Sequence, residues 1–349
     1  MDSKFTLRQI LPGDGPALAK LMDETPDTGM ISAAAHFEMD AYQALKTAQG
    51  DFIGVAAENP GHAGFIGSCL ARFGHCQFEG KLRPVALLNS LDTHPDFRQQ
   101  GVGSGMVKWL VDRCREWFGA EGVIWALIQH GNTGSERTVG KHLKQFIGDR
   151  LSAAPIQTRR KPPAAVRNLT VRAAEAGEYA EVAEKLNSFY QDFNFYEPET
   201  AGSLADWCAT TPFDTPFHHY LVVTDAGGNM LAGAGVTETY RLRTLHIRHM
   251  PGLLRFLNTF FRMVPTNGIT RELVPGRFWF SEGQMEAAKY LFESIRWQWR
   301  DRADLVMMSV DSLNPLREVL DLKPWMPVTR FAVVIDCPEA MTLDRPVCY

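Results

Sequence analysis

The chain has 349 residues, of which 45% are apolar and 22% charged. That length fits about two domains of ordinary globular composition, and it excludes a collagen, a coiled coil, a small disulfide scaffold and wholesale disorder. The formal charge of −4 and pI near 6.2 show none of the global basic bias of nucleic-acid binders, so no nucleic-acid partner is expected.

Cys69, Cys76, Cys114, Cys208, Cys337 and Cys348 include no C-x-x-C pair and have no histidine pair beside them at zinc-ligand spacing. Reduced thiols are expected, several of them core hydrophobes, and no metal is assigned. His218-His219 does not change this, because adjacent strand residues face opposite ways. The first residues show no basic stretch followed by an apolar one, and no apolar run reaches the ~18–20 residues of a membrane span. The expectation is a soluble, cytoplasmic protein without a transmembrane segment.

In chain order, residues 4–10 read as a strand ending at Pro12-Gly13-Asp14-Gly15. Helical patterns follow at 16–23 and near 38–48. Strands are expected at 52–58 and 65–71, split by the turn Asn59-Pro60-Gly61. A further apolar strand, 85–91, leads into His94-Pro95-Asp96-Phe97-Arg98. A helix from about Gly103 to Phe118 and a strand at 123–128 complete the pattern. This order implies a mixed α/β domain around one sheet.

Ser152 to Asn168 changes character and contains Arg159-Arg160-Lys161-Pro162-Pro163, a poor helix and a poor central strand. It reads as a linker over 152–168, between a first domain at 1–151 and a second at 169–340, with a tail at 341–349. The pattern then restarts. Phe5-Thr6-Leu7-Arg8 matches Leu169-Thr170-Val171-Arg172, and Leu18-Ala19-Lys20-Leu21 matches Ala183-Glu184-Lys185-Leu186. Gly101 precedes Asn132 by 31 residues, as Gly283 precedes Asn314, and Leu110 and Trp117 align with Phe292 and Trp299. These coincidences in chain order favour two copies of one fold.

The sharpest motif is Arg98-Gln99-Gln100-Gly101-Val102-Gly103-Ser104-Gly105, between an apolar strand and an amphipathic helix. Glycines let the backbone bend and approach a ligand, and the first helical N–H groups are unsatisfied and dipole-positive. Together they make an anion site suited to a pyrophosphate, with Arg98 adding fixed charge. No Gly-Lys-Ser/Thr ends the loop, so it is not a Walker A loop, and its glycine spacing is not a dinucleotide-binding fingerprint.

Leu91-Asp92-Thr93-His94-Pro95-Asp96-Phe97-Arg98-Gln99-Gln100-Gly101-Val102-Gly103 closely resembles motif A of the GNAT acetyltransferase superfamily. The element order over about 4–150 is also similar to that family's. The resemblance implies two tandem GNAT-like domains, each a mostly antiparallel sheet flanked by helices. It implies acetyl-CoA as cosubstrate, with the backbone of Leu91 and Thr93 on the pantetheine arm. The amides of Gln99, Gln100, Gly101, Val102, Gly103 and Ser104 would hold the pyrophosphate, with Arg98 leading the loop. Asn132 matches the family's Asn that opens motif B and touches the pantetheine.

The implied reaction is direct acetyl transfer from thioester to amine. It needs a base for the amine, a donor for the developing oxyanion and an acid for the leaving thiolate. The family often uses a motif B Tyr as that acid; residues 132–143 contain none, and Ser135 and His142 are the replacements on offer. The plainer reading of His142 is part of a solvated helix face. Asp92, His94 and His75 are base candidates, with His130 a further unproven one. Asp92 alternates with Leu91 and Thr93, so it faces away from them, and burial there would raise its pKa. Its plainer reading is a strand-end carboxylate capping a turn.

The second copy keeps the pattern and loses the loop. Arg277-Phe278-Trp279-Phe280 runs into Ser281-Glu282-Gly283-Gln284-Met285, where Glu282 would repel phosphate and Met285 replaces Gly103. It is therefore not expected to bind acetyl-CoA in the usual way. Residues 241–265 are basic and amphipathic, read either as a membrane-surface or partner helix or as a packed insertion over the cleft or domain interface. The aromatic run 189–196 suits a pocket or, more plainly, core and loop. The first half shows no clear pair of closing strands after Gly148, whereas 328–336 reads as one, which suggests that the halves complete each other's sheet. The functional expectations are an N-acetyltransferase acting on a small-molecule or peptide amine, or a non-catalytic acyl-CoA sensor or interaction protein. The oligomeric state is left open.

Overall fold

A computed structural model describes residues 5–27, 31–252, 255–256, 258, 264–320, 322 and 328–349. In the first half the order is β1 (Thr6–Gln9), α1 (Gly15–Glu24), β2 (Ser32–Phe37), α2 (Ala41–Gln49), β3 (Phe52–Glu58), β4 (Phe65–Phe78) and β5 (Lys81–Thr93). It continues with α3 (Val102–Phe118), β6 (Val123–Gln129), α4 (Thr133–Val139) and β7 (Gln145–Gln157). The second half contains β8 (Thr170–Ala173), α5 (Tyr179–Phe189), α6 (Ala201–Ala209), β9 (His218–Thr224), β10 (Met230–Thr237), β11 (Arg243–His249) and β12 (Ile269–Thr270). It closes with β13 (Glu272–Phe280), α7 (Met285–Gln298), β14 (Leu305–Asp311), α8 (Leu316–Leu320) and β15 (Thr329–Asp336).

Local physics accounts for the long helices. In α3, Val102, Met106, Val107, Leu110 and Cys114 are buried at helical spacing, and Gly119 ends the helix at φ +67 while donating to the Arg115 carbonyl. In α7 the buried stripe is Ala287, Ala288, Leu291, Phe292 and Ile295. Leu110 and Phe292 are both fully buried, as the alignment of the halves predicts. Trp117 and Trp299 part company: Trp117 is 52% exposed and Trp299 3%. Trp299 is drawn in because its indole N–H donates to the buried Glu238 carboxylate at 2.7 Å.

The twelve main strands form one sheet in the order β1-β3-β4-β5-β6-β15-β7-β14-β13-β10-β9-β8. The five strands β1-β3-β4-β5-β6 at one end mirror β8-β9-β10-β13-β14 at the other. Pairs β5–β6 and β13–β14 are parallel, and the remaining pairs are antiparallel. A small turn device repeats with the fold. Arg8 binds Asp14 at 2.7 Å and Arg172 binds Glu178 at 2.7 Å, each carboxylate lying six residues on.

The centre of the sheet is exchanged between halves. β15, from the second half, lies between β6 and β7, and β7, from the first half, pairs with β14. The completion of each half by the other is therefore realised as a strand exchange. Arg150 on β7 pins it: its Nε is 3.1 Å from the buried Asp311 carboxylate of β14. Its Nη1 and Nη2 donate to the carbonyls of Leu343 and Arg345 in the tail at 3.1 and 2.7 Å.

Three elements differ from the sequence expectation. β7 exists and runs to Gln157, so 152–157, read as linker, are strand. Its pattern is blurred by Gly148 at φ +92, by two register shifts against β15, and by Pro155, which lies past the last residue that β15 pairs. β2 had no counterpart in the reading. It is the outer strand of a three-stranded sheet with β11 and β12, so a first-half strand is completed by second-half partners. β4 also continues seven residues past 71, because β5 pairs it to Phe78. Within 241–265, residues 243–249 are this β11, a packed element between the halves. The amphipathic stretch beyond Pro251 falls largely on 253–254, 257 and 259–263, outside the described residues.

Candidate functional site

β5 and β6 run parallel with register Val85↔Val123 through Leu88↔Ala126, and then separate. The cause is a bulge in β5. The partner register against β4 shifts between Ser68 and Leu70, and Ser90, inside the shift, is held at φ +50. Past Leu88 and Ala126 the two strands open a cleft. Its floor is apolar, with Leu88, Ala126, Val107 and Cys69, and its walls carry Asn89, Asp92, Gln129, Asn132 and Ser135.

The two faces of β5 divide the chemistry. Leu91 and Thr93 face α3: a Cβ placed on Gly103 would stand 3.5 Å from Thr93 Oγ1 and 3.9 Å from Leu91 Cδ1. Asp92 faces the other way, where the Thr25 hydroxyl at the end of α1 donates to its carboxylate at 3.2 Å. The alternation expected from the strand period is thus observed. Burial pushes the Asp92 carboxyl up to about 7; the Thr25 hydrogen bond opposes this, neighbouring Asp27 adds to it, and Arg98 opposes it. Burial also raises Asp27, which lines the same cleft, while Arg243 of β11 draws it back.

On the α3 side the loop is built for an anion. Gln99 and Gly101 both adopt positive φ, +62 and +85, which turns the chain into the helix. No side chain caps the N-terminus of α3, so its first-turn N–H groups remain available. Gly103 presents bare backbone there. The Arg98 side chain folds back, Nε donating to the Thr93 carbonyl at 3.1 Å, and the Gln100 amide donates to the Asp96 carbonyl at 2.9 Å. These residues fit a bound pyrophosphate.

The remaining candidates separate by position. Asn132 caps α4, its side chain accepting from the Ser135 amide at 3.0 Å, and both residues line the cleft. His142 stands at the phosphate loop, its Nε2 2.9 Å from Ser104 Oγ. Burial, then Lys108, lowers its pKa, and it stands beside the loop, outside the lining of the cleft. His130 pairs with Asp149 at 2.8 Å at the end of β6. His94 turns towards Glu24 and His62. Cys69, the thiol on the cleft floor, is fully buried and pushed well above its ordinary pKa by that burial, so it is no nucleophile.

Residues 19–142 match the family model described as the acetyltransferase (GNAT) family. This segment of the chain belongs to the GNAT family. It contains β2 to β6, α2 to α4 and most of α1, hence the loop and most of the cleft, whereas the cleft residue Phe331 of β15 lies outside it. Among solved structures, Saccharomyces cerevisiae N-myristoyltransferase with bound myristoyl-CoA is 11% identical at TM-score 0.67, covering 96% of this chain and 83% of its own. A GCN5-related N-acetyltransferase from Sphaerobacter thermophilus is 15% identical at TM-score 0.60, covering 97% and 98%. One from Anabaena variabilis is 12% identical at TM-score 0.50, covering 94% and 72%. These likenesses show the fold: the tandem GNAT arrangement extends over nearly the whole chain. No curated protein matches the chain in sequence. No helix among the described residues is long and apolar enough to cross a membrane.

Sequence reasoning missed Asp27, Asn89 and Phe331. Asp27 follows α1 in an irregular stretch with no motif. Asn89 reaches Gln49 of α2 at 2.9 Å, a contact set by sheet and helix packing. Phe331 comes from the exchanged strand, about two hundred residues from the cleft strands in sequence.

Proposed function

We propose that the chain is an N-acetyltransferase that moves an acetyl group from acetyl-CoA directly to the amine of a small molecule or peptide. The observation that carries this reading is that β5 sets two chemistries on its two faces, beside the cleft it opens with β6. On the α3 side is an uncapped helix N-terminus behind Gly101 and Gly103, and on the opposite face of the same strand is the buried Asp92 carboxylate. The amides from Gln99 to Ser104 would hold the pyrophosphate, with Arg98 and His142 beside them. Leu91, Thr93 and Asn132 would line the pantetheine arm.

The acceptor amine would enter from the α1 side, where Asp92 and Asp27 stand. Asp92 would accept the proton that the amine must lose as its nitrogen bonds to the acyl carbon. The C–S bond breaks, and the thiol leaves with a proton for which Ser135, a hydroxyl lining the cleft, is the candidate donor. With Cys69 held as a buried thiol, transfer without an acyl-enzyme is the route the cleft favours. The second domain, residues 169–340 in this reading, would shape the acceptor side through β11 and would not bind a second coenzyme.

The test is thiol release from acetyl-CoA with a panel of amines and N-terminal peptides, alongside coenzyme binding by calorimetry. Asp92→Asn is expected to lower turnover at least 100-fold while the coenzyme Kd stays within threefold. Tight coenzyme binding with no turnover on a broad panel would instead favour an acyl-CoA sensor, a reading supported by the absence of a tyrosine in α4.

A further inference from the structure

We propose that Glu24, His62 and His94 form a binding site for one first-row divalent cation, with zinc as its natural ion. Each of the three offers a ligand atom, and those atoms all lie within 4.8 Å of one another. His94 Nε2 is 3.8 Å from Glu24 Oε2, and the two imidazole rings have centroids 4.9 Å apart. Zinc bound at ~2.0–2.1 Å by nitrogen and oxygen needs donor atoms roughly 3.4 Å apart, so closing the site takes side-chain movements of about 1 Å or less.

An independent observation points to a ligand. His62 Nε2 is buried and has no hydrogen-bond partner. A buried imidazole nitrogen left unpaired costs about 1–3 kcal/mol of desolvation, and a metal bond would remove that cost. The Asp96 amide donates to His94 Nδ1 at a long 3.4 Å, and metal at Nε2 would replace that contact by moving the ring proton to Nδ1, where Asp96 Oδ2, 3.8 Å away, can accept it. Phe97 stands edge-on to both rings, with centroids 5.3 Å from His62 and 5.9 Å from His94, and forms an apolar wall. One cation competes: Lys20 Nζ is 3.9 Å from Glu24 Oε1, but it also donates to the Ala63 carbonyl at 3.3 Å and has that oxygen to hold it when Glu24 turns away.

The donor set of two imidazoles and one carboxylate suits zinc and neighbouring first-row ions and leaves a fourth position open. Three segments meet here. Glu24 ends α1, His62 sits in the β3–β4 turn whose amide donates to Asn59 at 3.0 Å, and His94 follows β5 where its amide donates to Ile66 at 2.9 Å. The ligands are 38 and 32 residues apart, so no metal spacing marks them in the sequence. An ion would clip these three segments together just ahead of the coenzyme loop.

The experiment uses untagged full-length protein, loaded with zinc chloride and dialysed, with zinc counted by mass spectrometry and affinity measured by calorimetry. Cobalt substitution provides a visible d–d spectrum as a readout of coordination. The expected result is one ion per chain, with His62→Ala, His94→Ala and Glu24→Ala each weakening binding at least tenfold and bleaching the cobalt bands. His36→Ala, in the separate stacked pair with His246, serves as control and keeps full binding. Circular dichroism of the metal-free variants checks folding, and His62→Gln replaces any alanine variant that fails it. Zinc lost completely on dialysis, or retained undiminished in His62→Ala and His94→Ala, would overturn the proposal.

Discussion

Gly103→Ala separates the fold from the site. An added Cβ at Gly103 meets Thr138 Cγ2 at 3.4 Å, Thr93 Oγ1 at 3.5 Å and Leu91 Cδ1 at 3.9 Å, which are ordinary van der Waals distances. The helix therefore accepts alanine without displacement. Replacing a helical glycine gains up to about 1 kcal/mol of backbone entropy. With an unfolding entropy of about 2.1 cal/mol/K per residue, 349 residues turn that into a rise of roughly 1.4 °C in Tm. On the proposed function, the methyl would crowd the close approach of a diphosphate to the α3 amides. Losing one charge-assisted hydrogen bond costs about 1.5–3 kcal/mol, so acetyl-CoA affinity should fall about 10- to 100-fold. Differential scanning fluorimetry and titration calorimetry on the same samples read both effects. A variant that binds within twofold of the parent would refute the assignment of this loop to phosphate, and a drop of several degrees would refute the packing argument.

The exchanged strands make their own predictions. Arg150→Ala leaves the fully buried Asp311 carboxylate without its cation and frees the tail carbonyls of Leu343 and Arg345. The expected loss is about 3–5 kcal/mol by urea unfolding, and a cycle with Asp311→Ala should show strong coupling; additive single effects would show that the pair does not act as one. Glu238 is buried, which works against its charge, but the His219 imidazole 3.4 Å away and hydrogen bonds from Trp299 and Arg241 outweigh this and hold it at about 2, below the ordinary 4.5. A depressed carboxyl stabilises the fold above the unfolded pKa and loses that stability as pH falls through the folded one. About 3 kcal/mol should therefore fade between pH 4.5 and 2. Glu238→Gln should flatten that part of an acid-unfolding curve, and an unchanged curve would place the acid sensitivity elsewhere.

Much of the site was legible because its parts are neighbours in sequence. Arg98 to Gly105 form a bend and a helix start whose geometry depends on glycine at positive φ and on uncapped amides, all within one turn. The opposed faces of Leu91 and Asp92 follow from the strand period alone. His142 shows where such reading stops. The resemblance offered it in place of the motif B tyrosine, but α4 ends at Val139 and the chain turns to bring His142 to Ser104. The cleft itself exists because Ser90 bulges, and nothing in its residue type requires that.

Local order in the chain therefore determined the two copies of the fold and the glycine-rich bend and uncapped helix start proposed to hold phosphate in the first. These depend on periodicity, glycine placement and charge over a few residues. Tertiary structure alone decided how the copies join. β7, with a glycine, a proline and small side chains, is a strand because β15 and β14 flank it, and β15 reaches it from nearly two hundred residues away. It also decided that Phe331 lines a first-half cleft and that Glu24, His62 and His94 meet. Pairing energy between strands and burial between faces depend on which segments become neighbours, and that is a property of the whole folded chain.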